Sequence, residues 1–132
     1  MSLKIATWSI VNNEISFIKD IIDYHLKWVD FMYILDTGST DGTLEFIQEY
    51  ARTDPRVIAD VYPVKYKTQY ELQWHEMVEP FPEVTVRNYA ISKVKDLHPD
   101  WIIQLDGDEV FLDITRTVIS EYKNKSCIAH ST

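Results

Sequence analysis

Two short stretches, residues 31–35 and 101–105, most constrain what this chain folds into. Each is dominated by large apolar side chains and stops abruptly in a carboxylate, Asp36 or Asp106. Runs of this kind do not alternate in polarity. They read as strands covered on both faces, the habit of parallel sheets with helices above and below. Parallel strands need crossover segments, and the chain between them supplies helical spacing. Ile18, Ile21, Ile22, Leu26 and Val29 predict helix one over about 14–28, with Asn13 as its N-cap and Glu14 at the positive end of its dipole. Leu44, Ile47 and Ala51 mark the buried face of helix two. Val86, Ala90, Val94 and Leu97 mark helix three over 83–97, which His98-Pro99-Asp100 stops. Ile114, Val118 and Tyr122 give a fourth stripe, capped by Asp113. Residues 4–11 and 56–62 are the remaining strands, and 126–132 opens like another strand. The alternation predicts a three-layer α/β/α architecture with a mostly parallel central sheet.

The 132 residues suit one domain with one core, here read as continuous over 1–132 and cut short at its C-terminus. A hydrophobic share of 45% with 13% aromatics is that of a folding chain rather than a disordered tail. The formal charge of −8 argues against a general nucleic-acid binder, since phosphate contacts need a basic surface. Cys127 is the only cysteine, which excludes an internal disulfide. There is no apolar stretch near the roughly 20 residues needed to span a membrane, and no signal-peptide pattern. The expectation is a cytoplasmic protein, at most peripheral at a membrane.

In open α/β sheets, ligands bind outside the carboxyl ends of the strands. Asp36 and Asp106 end two such strands, so both acids are expected to face one crevice. Asp106 and Asp108, with Gly107 between them, repel when both are ionised, and a hard divalent cation relieves that repulsion. The plainer reading is an acidic turn after a strand. The loop 36–43, Asp-Thr-Gly-Ser-Thr-Asp-Gly-Thr, leads into a helix start. Asp36 is placed to accept from a base N–H or ribose hydroxyls. Ser39, Thr40 and Asp41 offer the same chemistry or cap helix two, and capping is preferred for Asp41. Arg87 sits in the first turn of helix three, the poor end for a cation. An anionic partner explains it, as does a surface ion pair. Residues 63–82 hold Tyr66, Tyr70, Trp74, His75 and Glu76 without sustained period, and read either as a binding surface or as a cover over the core. His25 and His98 read as structural or solvated, and no Cys/His set has zinc spacing.

Four pieces of the sequence, taken in order, resemble a family 2-type glycosyltransferase of the GT-A fold. Ser9-Ile-Val-Asn-Asn-Glu14 is similar to the segment that starts the nucleotide pocket, which includes Ser9, Val11, Asn13 and Glu14. Leu35-Asp-Thr-Gly-Ser-Thr-Asp-Gly-Thr43 is similar to the second-strand signature. Val86-Arg-Asn-Tyr-Ala90 resembles the Arg-Asn helix, and Asp100-Trp-Ile-Ile-Gln-Leu-Asp-Gly-Asp-Glu109 the strand into the Asp-x-Asp motif. The ordered set is more specific than any piece alone.

The resemblance implies a nucleotide-diphosphate sugar donor, UDP-linked by preference, and transfer to a saccharide or lipid-linked acceptor, mostly with inversion. It implies that Asp36 contacts base or ribose, that Asp106 and Gly107 lie by the ribose or sugar, and that Arg87 lies near the diphosphate. Asp108, with Asp106, would bind Mn²⁺ or Mg²⁺. The family's base lies downstream of Asp-x-Asp, so no catalytic residue is assigned. One rival is a nucleotide- and metal-binding module of this fold without turnover. A nucleotidyltransferase is disfavoured because Asn12-Asn13-Glu14 replaces a glycine-rich basic loop. A flavodoxin-like signalling domain is disfavoured by the lack of a suitable late lysine.

Overall fold

The computed structural model describes residues 3–64, 82–106, 110–112, 114–121 and 128–130, the last stretch and Ile114 as backbone only. The element order is β1 (Ile5–Val11), α1 (Ile18–His25), β2 (Phe31–Asp36), α2 (Thr43–Thr53), β3 (Val57–Val61), α3 (Glu83–Lys95), β4 (Trp101–Gln104), α4 (Ile114–Ser120) and β5 (Ile128–His130). The strands form one sheet in the order β3-β2-β1-β4-β5. Every pairing is parallel.

Helices cover both faces, so this is a three-layer α/β fold. On one face Ile5 and Val11 of β1, Met32 and Ile34 of β2, and Ile103 of β4 pack with Ile18, Ile21 and Ile22 of α1 and Ile47 of α2. On the other, Ala6 and Trp8, Tyr33 and Leu35 pack against Val86, Ala90 and Val94 of α3. Ala90, at the middle of that stripe, is fully buried. Alternate residues of β1 thus enter two different cores. Among the described residues, no helix is long and apolar enough to cross a membrane.

Several expected boundaries shift. Helix one begins at Ile18 rather than 14, after a turn over residues 15–17. The Glu14 carbonyl accepts from the Phe17 and Ile18 N–H groups. The helix ends at His25, where the chain tightens. Lys27 N–H donates to the Tyr24 carbonyl and Trp28 N–H to the His25 carbonyl, each three residues back. Leu26 and Val29 stay buried beyond the helix. Among the described side chains of α4 Ile119 is buried, while Val118, assigned to the inner stripe from spacing, is exposed. Asp113 and Tyr122 fall outside the described residues.

Arg116 of α4 explains that rotation. Its guanidinium donates to the carbonyls of Leu3 (2.7 Å) and Trp28 (2.9 Å) and to the Asp30 carboxylate (3.1 Å). Asp30 in turn accepts the Ile5 N–H at 2.8 Å. Arg116 thereby fastens α4 to the amino end of the sheet. Arg116→Met keeps the aliphatic stem and strips these donors. The expected loss is about 1–3 kcal/mol, read as a lower urea midpoint with unchanged slope.

Candidate functional site

All strands run one way, so the carboxyl ends of β1, β2 and β4 share one edge. The chain leaves β1 towards β2 on one side and returns into β4 on the other. The strand order therefore reverses between β1 and β4, the position where open α/β sheets form their ligand crevice. The turn after β1, the loop after β2 and Asp106 after β4 all lie along this edge.

The first two of these are bonded to each other. Asn12 Nδ2 donates to Thr37 Oγ1 at 3.1 Å. Asn13 N–H donates to Ser39 Oγ at 2.9 Å, and its Oδ1 accepts the Thr40 N–H at 2.8 Å. Glu14 N–H reaches Thr43 Oγ1 at 2.9 Å and Ile15 N–H reaches the Asp41 carboxylate at 3.2 Å. Asn13, expected as a helix cap, adopts φ 58° and joins the two loops instead. Short polar side chains tolerate that left-handed conformation best.

Asp36 is completely buried. Its Oδ1 accepts the N–H groups of Gly38 (2.8 Å) and Ser39 (2.9 Å), which folds the loop back over the strand end. Its Oδ2 is buried with no hydrogen-bond partner. A buried acceptor without a donor costs about 1–3 kcal/mol. Thr37, also buried, donates its N–H (3.1 Å) and its hydroxyl (3.2 Å) to the Val11 carbonyl.

Asp41 caps α2 as expected, from one position further out. Gly42 holds the N-cap place, and the Asp41 carboxylate accepts the Thr43 N–H at 3.0 Å and the Thr43 hydroxyl. Burial alone would raise the Asp41 carboxyl. The bonds from Thr43 and from Ile15 N–H outweigh it and hold the group below its ordinary value.

Of the other expected residues, Ser9 and Val11 are buried within β1, and Val11 packs into the core under α1. Glu14 is half-buried and Asp106 exposed. Arg87 is half-exposed. It pairs with Glu83 at 2.9 Å, and its Nη1 donates to Gln104 Oε1 at 3.4 Å. The surface ion pair is therefore real, and the second contact links α3 to β4 beside the crevice. Gln104 was not among the expected residues. Its signal is a polar side chain inside a buried run, 8% exposed with Ile103 and Leu105 fully buried beside it. Gly107, Asp108 and Glu109 lie outside the described residues, as do Tyr66, Tyr70, Trp74, His75 and Glu76. Among the described residues, no three His, Cys, Asp or Glu groups stand together as a metal site.

These observations divide the expected set. Asp36, Asn13, Ser39 and Asp41 shape the loops. Glu14, Arg87 and Asp106 keep exposed surface at the same edge. Comparison with known proteins brings no match to a family model and none to a curated protein.

The loop bonds make a testable statement about pH. The Asp41 carboxyl is depressed in the fold, so its contribution is present above its unfolded value of about 3.8 and lost as pH falls through the folded one. Asp41→Asn keeps an acceptor for Thr43 but does not titrate. Between about pH 5 and pH 3 the parent should lose more stability than the variant. Parallel acid-unfolding curves would show instead that Asp41 carries no part of the acid sensitivity.

Proposed function

We propose that this chain is the nucleotide-sugar-binding part of a glycosyltransferase, in which a metal-bound nucleoside diphosphate sugar occupies the crevice between β1 and β4. The observation that carries the reading is topological. A parallel sheet whose order reverses between β1 and β4 sets an acidic strand end, a bonded pair of polar loops and Arg87 along one edge. The ordered resemblance of four motifs supplies the substrate class.

In this reading Asp36 builds the nucleoside wall through Gly38 and Ser39, and its unpartnered Oδ2 is the acceptor for a base or ribose donor. Arg87 meets the diphosphate with the N–H groups that Glu83 and Gln104 leave free. Asp106 with Asp108 would hold Mg²⁺ or Mn²⁺, since carboxylates at a strand end suit a hard cation. Such an ion stabilises charge on the leaving nucleoside diphosphate. The acceptor is a saccharide or a lipid-linked glycan.

No base is assigned. Glu109 and Asp113 lie outside the described residues. Glu121 follows α4, which Arg116 fastens at the opposite end of the sheet. If no base is supplied, the chain binds donor and transfers slowly, because general-base assistance is worth about 10²–10⁴-fold. A binding module without turnover is the second reading.

Titration calorimetry of UDP with Mn²⁺ tests the shared part. The parent should bind, and Asp106→Asn should weaken binding about tenfold or more, the cost of roughly 1.4 kcal/mol or above. Asp36→Asn, which keeps Oδ1 for Gly38 and Ser39, should weaken it without lowering the melting temperature. Equal affinities in all three proteins would remove the nucleotide from this crevice. A radiolabelled-donor assay then separates enzyme from binding module.

A further inference from the structure

His25 has no part in the crevice, yet it is fully buried and uses both ring nitrogens. Nδ1 lies 2.7 Å from the Ile21 carbonyl, and Nε2 lies 3.0 Å from the Phe111 nitrogen. A carbonyl only accepts and a backbone N–H only donates. The tautomer follows from this pairing: Nδ1 carries the hydrogen and Nε2 is bare. The ring is neutral by geometry. A proton added to Nε2 would set N–H against N–H and break the bond to Phe111.

That bond is a large part of what holds its segment. Of residues 110–112 only Phe111 turns inward, where it packs on the core under α1. Val110 is 54% exposed and Leu112 is 63% exposed. The segment stands between the end of β4 and α4, so its hold on α1 joins the two. We infer that His25 is a pH-sensitive clasp. Neutral, it holds the segment after β4 against α1; protonated, it lets that segment go.

The charged and titratable groups around the ring do not offset this. On its own helix, Asp23 is engaged by Lys19 and by Tyr50, each at 2.7 Å, Asp20 is exposed, and Lys27 lies over the Tyr24 ring. Tyr24 meets the imidazole edge-on at 5.2 Å and Trp28 lies tilted at 5.8 Å. From α4, Arg116 is bound to Leu3, Trp28 and Asp30, and Glu121 is exposed. Residues 110–112 carry no titratable group. None of these bonds to the imidazole, so no described carboxylate stabilises an imidazolium. Burial accordingly lowers the pKa, with the Ile21 carbonyl opposing it in part. With the folded value below the unfolded one, the clasp contributes fully above pH 6.5 and weakens as pH falls from there.

Amide hydrogen exchange of the intact chain, followed by NMR between pH 8 and pH 5, tests this. After correction for intrinsic exchange, protection of the Phe111 amide should fall about tenfold per pH unit below about 6.5. His25→Gln, which keeps an acceptor near the Nε2 position without titrating, should show protection independent of pH. His25→Leu should expose Phe111 at every pH while amides of β1 and β2 stay protected. Protection that is flat in the parent, or that falls equally in the Gln variant, overturns the clasp. Should neither variant fold, the imidazole ¹⁵N shifts of the unaltered protein decide. A bare Nε2 persisting below pH 6.5 supports the clasp. A hydrogen on Nε2 at neutral pH overturns it.

Discussion

β1 is bonded on both edges and covered on both faces, and this double closure organises the molecule. Its backbone polar groups have no water to turn to, so each edge must carry a ladder. β2 supplies one from Ala6 to Val11 and β4 the other from Ile5 to Trp8. With helices on both faces the neighbours are parallel and joined by crossovers. The carboxyl ends are thereby forced onto one edge, where the connections after β1 and β2 meet.

How these two connections meet explains the odd features of the edge. Two loops with short polar side chains satisfy each other through bonds between residues 12–15 and 37–43. Beside them α1 starts late, at Ile18, after a turn over residues 15–17. Gly42 at φ 102° and Asn13 at φ 58° bend the backbone enough for the loops to meet. Beside these bonds Oδ2 of Asp36 is buried without a hydrogen-bond partner among the described residues.

The opposite end of the sheet is held by charge and by a neutral ring. Arg116 gathers two carbonyls and Asp30 at the amino end of β1, while His25 engages Phe111 deeper in the α1 layer. Bonds to a guanidinium survive any ordinary pH, whereas the imidazole bond depends on the ring staying neutral. The two contacts fasten neighbouring stretches of chain with different sensitivity to acid.

The sequence by itself determined the strands, the inner faces of three helices and the parallel class, because apolar runs ending in acids have few other uses. It placed Asp36 and Asp106 at strand ends and Asp41 at the start of α2. Only the tertiary structure decided what those polar groups bond to. Asn13 reads as a cap until the loop at Ser39 and Thr40 is folded beside it. Val118 reads as core until Arg116 turns α4 and brings Ile119 inward. Gln104 and His25 gain their partners, Arg87 and Phe111, from elements 17 and 86 residues away. Periodicity reports which face of an element is buried, since that depends on near neighbours. It carries nothing about which distant backbone group arrives at a side chain, and at this edge those arrivals set the chemistry.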